Sequence, residues 1–574
     1  MEAGAVESNG SHGGGDHRTS LSKKDARLSR GDAVNSCFQW TAYFGVSTNL
    51  VNFLRDRLHQ DSKTAANSFT NWQGTSSVMA LVAAFLADAF LGRYWTIALF
   101  ILISVVVRAA TPAPSAALFY AGLYLQALGG SLALQPVLTS FGADQFDDSS
   151  EEGRRRQSSF FNWFYQSLNV GSLVGGTVLV WVQSNVSWGL GYGIPALCSV
   201  LAVAVFLAGT GAYQRQQPPA GSPITRVAQV VVAAARKWRV EVSADALELH
   251  ECEADDGMSA IQGSRRLAHT NQFRQSFLRR ALEVGKAAAK VSSTPARFLD
   301  KAAVETAGDK ARPSPWRLST VTQVEELKCV LRLLPVLASG IIFSAAYVQM
   351  SSTFILQGDT LDPYVAGFRV PAAVISIFET ISVMLWVPLY DRVVVPLARR
   401  ATGHNHGFTQ LARMGVGLAV LAAAMVTAGT LEVERRRVIA RHGMFDTNDG
   451  TDGKYLPLSI FWQVPQYVVV GAAEVFTFIG QLEFFYDQAP DAMRSLCSGL
   501  STVSFALGNY LSTALVTIVA RATARGGRDG WMPDKINRGH LDNFFWLLAV
   551  LCVGNLGVYL LIARWYTYKK TVDD

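Results

Sequence analysis

Charge is scarce in this 574-residue chain: 17% of its residues are Asp, Glu, Lys or Arg, against 50% hydrophobic. Cysteine is scarcer still. The six present (Cys37, Cys198, Cys252, Cys329, Cys497 and Cys552) never fall at CxxC spacing, which excludes a disulfide framework or a zinc site and leaves them as small apolar fillers. No phosphate loop, nucleophile elbow or metal-ligand cluster occurs, so the sequence offers no enzyme chemistry and no cofactor site. The first 33 residues lack the apolar run of a secretory signal, and their glycine, serine and charge content reads as a disordered cytoplasmic tail. The formal net charge of +7 comes without interleaved aromatics or a recognition motif, which argues against a nucleic-acid partner.

What the chain does have is apolar length. Runs of about 20 apolar residues, each able to cross a ~30 Å hydrocarbon core, make it an integral membrane protein. Six spans are expected at about 34–54, 71–91, 94–110, 116–137, 158–182 and 190–212, and six more near 327–356, 370–389, 411–430, 458–482, 498–520 and 544–563. Between the two sets lies the least hydrophobic stretch. The expected organisation is a tail at 1–33, a first bundle at 34–212, a bridge at 213–326, a second bundle at 327–565 and a tail at 566–574. This is an all-α membrane protein of twelve transmembrane helices, arranged as two six-helix bundles joined by a long cytoplasmic loop.

With both tails inside, the basic loops "GRRRQ" (153–157), the bridge and "DRVVVPLARRATGHNHG" all fall on the cytoplasmic side, as positive-inside bias demands. One loop disagrees. "EVERRRVIARHG" (432–443) would lie outside. Within the bridge, the stretch 277–307 reads either as a helix lying on an anionic membrane surface or as a solvated linker helix.

Few residues inside the spans can carry chemistry. Glu474, in "VVVGAAEVFTFIGQL", is a carboxylate where ionisation is expensive unless it faces a wet cavity or a partner, so it is a functional-site candidate. Glu379, in "AAVISIFETISVMLW", is a second intramembrane acid, open to a cavity role or a packing role. Both are candidates for proton coupling. Asp88, followed after three residues by Gly92-Arg93, marks a tight loop between spans two and three that can engage helix ends when the halves close. Asn169 follows an aromatic run (Phe160, Phe161, Trp163, Phe164, Tyr165) and offers a donor and an acceptor, to a substrate or across helices.

Asp88, Gly92 and Arg93 resemble the loop signature of the major facilitator superfamily, with Ala84 in place of its leading glycine. Phe164-Tyr165, Asn169 and Gly171 resemble the FYxxINxG signature of the proton-dependent oligopeptide transporter family. The segments "FGADQFD" and "SFFNWFY" resemble its plant nitrate and peptide transporter branch. Further likeness runs through nearly all twelve spans. The resemblance implies a major facilitator fold and a secondary transporter of di- and tripeptides, or of related solutes such as nitrate, working by alternating access. Glu474 would meet a substrate amino group, and Asn169, Tyr43, Tyr347 and Gln349 would line the cavity. The partners implied are a small solute, protons and the lipid membrane, with the plasma membrane expected ahead of the vacuolar one.

The chain departs from its family where the proton is handled. An ExxER-type cluster usual in the first span is replaced by Ser36, Gln39 and Trp40, and the lysine usual before the proline of span four by Gln135. None of these titrates at physiological pH. The expectation is therefore transport only weakly driven by acid pH, with Glu474 and Glu379 the acids left inside the spans; the competing reading is a transport-inactive relative acting as a sensor or partner-binding protein.

Overall fold

The computed structural model describes residues 31, 34–48, 50–58, 62–110, 116–146, 151–211, 213, 222–240, 249–251, 267, 269, 295–306, 309, 314–365, 368–370, 372–402, 407–445, 455–524, 530–533 and 536–569. The N-terminal tail apart from Gly31, Cys252 and the stretch 277–294 lie outside the described residues.

The N-terminal bundle holds α1 (34–47, continued by Leu50–Leu58), α2 (Ser62–Leu86, closing in a π turn at Ala87–Leu91) and α3 (Arg93–Ala110). It continues with α4 (Ala116–Gly129 and Ser131–Ala143), α5 (Glu151–Val174, a π turn at Gly175–Leu179, then Val180–Asn185) and α6 (Trp188–Ala208). The C-terminal bundle holds α7 (Val321–Tyr347, then Thr353–Asp359), α8 (Ile377–Leu389, a π turn at Tyr390–Val394, then Val395–Thr402), α9 (Gln410–His442), α10 (Val464–Asp487), α11 (Arg494–Thr523) and α12 (Leu541–Trp565).

Apolar side chains on the bundle exterior, such as Val550, Leu385 and Val106, are exposed, as they should be where lipid is the solvent. Where α5 crosses α1, a Cβ added to Gly171 would lie 2.5 Å from the Cys37 carbonyl, and one added to Gly175 2.8 Å from Phe44 Cβ. Only glycine lets the two backbones come this close.

Several helices run past their expected ends. The largest change is at α9, which continues to His442 before Gly443 caps it with φ of 66°. The basic stretch expected as an outer loop is therefore helix. Its charges are paired: Arg435 with the fully buried Glu432, Arg436 with Asp542, and Arg437 with Glu434. The pairing accounts for how the arginines are accommodated in the helix, while the positive-inside bias, which counts Lys and Arg and not net charge, still runs against this segment. Arg435 also donates to Thr360 and Asn537, while Gln357 donates to Glu432, so α7, α9 and the segment before α12 are tied together at the end away from the bridge.

On the opposite side, the bridge docks under α7. A capping box of Thr320 and Gln323 opens that helix. An amphipathic bridge helix, Pro223–Arg236, buries Val230, Ala233 and Ala234 against Leu299, Ala302, Ala303, Val321 and Val324. Arg226 reaches the buried Glu326 at 3.4 Å, and Lys328 reaches Asp300 at 2.6 Å and Glu325 at 2.7 Å. Burial alone would raise the pKa of Asp300, but His269 and Lys328 beside it outweigh burial, and the carboxyl sits below the ordinary aspartate value.

Candidate functional site

Two facing networks join the bundles, one at the midplane and one at the end from which the bridge leaves. At the midplane, Glu474 on α10 is 4% exposed and accepts two tyrosine hydroxyls. Tyr165 on α5 donates to Oε1 at 2.5 Å and Tyr347 on α7 donates to Oε2 at 2.7 Å. The first bond crosses from one bundle to the other. Glu379 on α8, 6% exposed, stands beside the same Tyr347 hydroxyl, with 3.5 Å between Oε1 and the phenol oxygen, and its carboxyl also meets that of Glu474. Thr380 donates to its other oxygen at 3.2 Å. Among the described residues, no lysine, arginine or histidine forms an ion pair with either acid. Phe343, Phe478 and Phe505 pack around the Tyr347 ring, so the charge is held in a low-dielectric wall.

α10 and α8 come together because of Gly471, one turn before Glu474. A Cβ there would lie 2.8 Å from the Glu379 carbonyl oxygen and 2.9 Å from Ser382 Cβ. Any side chain at 471 would push the two acid-bearing helices apart.

At the bridge-side end, Asp88 accepts from the Leu496 backbone N–H at 2.8 Å, and Arg93 donates to Ser495 Oγ at 2.8 Å. The π turn and a φ of 73° at Gly92, which only glycine adopts without strain, aim both side chains at the start of α11. Arg93 also bonds Asp144, and Asp144 accepts from Tyr486 at 2.5 Å and from Arg494 at 3.2 Å. A second strut joins α5 to α8 and α9: Asp391 accepts from Ser159 at 3.1 Å and from Asn162 at 3.4 Å, while Arg413 donates to Asn162 Oδ1 at 2.8 Å. These bonds latch the bridge-side ends of the two bundles.

Of the residues singled out from sequence, Glu474, Tyr347 and Glu379 come together, and Asp88, Gly92 and Arg93 form the latch. The other three turn elsewhere. Asn169 donates to the Tyr165 carbonyl of its own helix at 3.0 Å. Tyr43 stacks on Trp72 inside the N-terminal bundle, and Gln349 donates to Ser512 at 2.7 Å inside the C-terminal one. Sequence reading passed over Tyr165 as a site residue although it lies inside the aromatic motif, and it passed over Asn162, Asp144, Tyr486 and Arg494. Tyr165 was findable as the only hydroxyl-bearing ring in that motif; the others give no local signal, because each acquires its role from a partner in the other bundle.

The profile of the POT family matches residues 94–532. Protein NRT1/ PTR FAMILY 8.1 of Arabidopsis thaliana is 49% identical over 563 residues, covering 94% of this chain and 93% of that one. Protein NRT1/ PTR FAMILY 8.2 of the same plant is also 49% identical, over 559 residues, covering 93% and 92%. Among solved structures, the POT family transporter PepTSo superposes with a TM-score of 0.60 at 23% identity, over 94% of this chain and 98% of that one. A POT family transporter in complex with 5-aminolevulinic acid gives 0.55 at 13% identity, over 93% and 96%. With its two helical bundles and with relatives that match it nearly end to end, this multi-pass membrane protein belongs to the POT family of transporters.

Proposed function

We propose that this transporter carries small peptides bearing a free amino group, di- and tripeptides first, and that it does so by rocking the two bundles about Glu474. The observation that carries the reading is the environment of that carboxylate: buried, fed by one hydroxyl from each bundle, and without a cation among the described residues. A substrate ammonium supplies the missing positive charge. The same charge disfavours nitrate, since an anion entering here would meet carboxylates instead of a cation. The latch at the bridge-side end supports a state closed toward the cytoplasm, from which alternating access requires Asp88, Arg93 and Asp144 to release α11. The plasma membrane is the proposed location, checked by imaging a fluorescent fusion.

Oocytes expressing the chain and given radiolabelled dialanine should take it up above uninjected controls, and a tenfold excess of nitrate should not compete. Absence of dipeptide uptake with uptake of labelled nitrate would reverse the substrate assignment.

A further inference from the structure

We infer that Glu379 is the proton-carrying group of the transport cycle, holding one proton against the Tyr347 oxygen while Glu474 accepts the two tyrosine hydroxyls. The inference rests on the reading that Glu474 receives the substrate amino group, and it assigns a separate role to its neighbour.

Counting hydrogens separates the two acids. Tyr347 has one hydroxyl hydrogen, and the 2.7 Å contact directs it to Glu474 Oε2. Glu474 Oε1 receives a second hydrogen from Tyr165. Both oxygens of Glu474 thus already accept a hydrogen from a tyrosine. The Tyr347 oxygen then presents only lone pairs toward Glu379 Oε1, 3.5 Å away. A carboxylate there would face lone pairs and a neighbouring anion, whereas a protonated carboxyl donates into them.

Thr380 donates to the other oxygen of Glu379, but no cation faces the carboxyl among the described residues. The titratable groups facing Glu379 are Tyr347 from α7, Glu474 and Tyr467 from α10, and Tyr165 from α5. None carries positive charge. The close approach of α8 and α10 at Gly471 keeps the two acids from drifting apart. In the N-terminal bundle, Ser36, Gln39, Trp40 and Gln135 line a small cavity between α1, α4 and α5 with Leu134, Leu138 and Phe164, and none of them titrates.

Coupling follows from the bond that crosses the bundles. With Glu379 protonated, the site carries a single negative charge and Glu474 can hold Tyr165 of the opposite bundle. When Glu379 releases its proton, a second negative charge appears beside Glu474. The repulsion is relieved either by a substrate ammonium or by separating Glu474 from Tyr165. Protonation therefore biases one arrangement of the bundles over the other, which is what coupling requires. Only an O–H bond is made and broken: the proton is taken from water on one face and returned to water on the other.

The test uses the full chain in proteoliposomes, with labelled dialanine as the probe, in two assays: counterflow without a pH gradient, and accumulation driven by an acidic outside. The expected result for Glu379→Gln is a loss of gradient-driven accumulation, roughly tenfold or more, that exceeds any loss of counterflow, as removal of the differential proton interaction requires. Glu379→Asp should restore part of the accumulation. Glu379→Gln accumulating dialanine as the parent does would overturn the inference, as would a parent that shows counterflow without any acid-driven accumulation. Failure of counterflow in the parent would instead strike the substrate assignment. For that case, infrared difference spectra of the substrate-free protein read the proton directly: the signal of a buried carboxylic acid should lose a component in Glu379→Gln and keep it in Glu474→Gln. A spectrum unchanged by Glu379→Gln contradicts the inference whatever the substrate.

Discussion

By length and composition, all six helices of the C-terminal bundle could cross a membrane, whereas among the described residues of the N-terminal bundle only α2 and α6 could. The C-terminal bundle is also the one that buries charge. It holds Glu325 with Lys328 and Arg332, Arg413 with Glu483, Glu432 with Arg435, and the two midplane acids. The N-terminal bundle buries amides and hydroxyls instead, including Asn35, Ser36, Gln39, Gln126 and Gln183, and keeps Asp88, Arg93 and Asp144 at its bridge-side end. Apolar helices tolerate buried ions where the ions cancel in pairs, which sets Glu379 and Glu474 apart as acids without a cationic partner among the described residues. The N-terminal bundle is the partner that is pulled on, through Tyr165.

Breaking a pair in the C-terminal bundle should cost most. Glu432→Ala leaves Arg435 buried without its counter-ion and should destabilise the protein by about 3–5 kcal/mol, against about 1 kcal/mol for Gln39→Ala in the other bundle. Thermal unfolding in detergent compares the two. Asp144→Asn weakens what Arg93, Arg494 and Tyr486 hold in common, so the latch should open: a cysteine placed at Ser140 should become roughly tenfold more reactive from the bridge side, a shift within the ordinary range of conformational coupling. Unchanged labelling would mean the latch does not set the closed state. Tyr165→Phe removes one charge-assisted hydrogen bond between bundles and should weaken dipeptide affinity by about 1.5 kcal/mol, or roughly tenfold, with folding preserved.

The smallest effect is in the bridge. Because the native pKa of Asp300 lies below its unfolded value, its contribution to bridge docking is complete above about pH 4 and is lost as pH falls through the native value. Protection of the Val321 amide, which donates to His250 at 3.0 Å, should fall in acid in the parent. In Asp300→Asn it should be weaker at neutral pH and flat across that window.

Eight of the expected spans return, among the described residues, as helices long and apolar enough to cross a membrane, because lipid demands apolar length, and Glu474 and Glu379 stood out because carboxylates inside such runs are rare. The helical continuation of α9 to His442 was not readable. A run with three consecutive arginines looks like a loop until Glu432, Glu434 and Asp542 are brought beside it. Tyr43, Asn169 and Gln349 were placed in the cavity by resemblance, while their side chains satisfy partners within their own bundles. The expectation of weak proton coupling came from the groups missing at Ser36, Gln39, Trp40 and Gln135. Sequence could not reveal that Tyr347 touches both remaining acids, since they lie on separate helices brought together at Gly471.

The central claim is that Glu474 is where the bundles meet the substrate amino group, and substrate discrimination tests it most directly. Uptake of dialanine and of N-acetyl-dialanine should be measured for the parent and for Glu474→Gln, which keeps the shape of the side chain and removes its charge. The expected result is a parent that prefers the free amine by roughly tenfold or more, as pairing of a buried charge warrants, and a variant that still reaches the membrane but has lost both the preference and most of the uptake. Glu474→Gln carrying dialanine with the affinity and preference of the parent would contradict the claim.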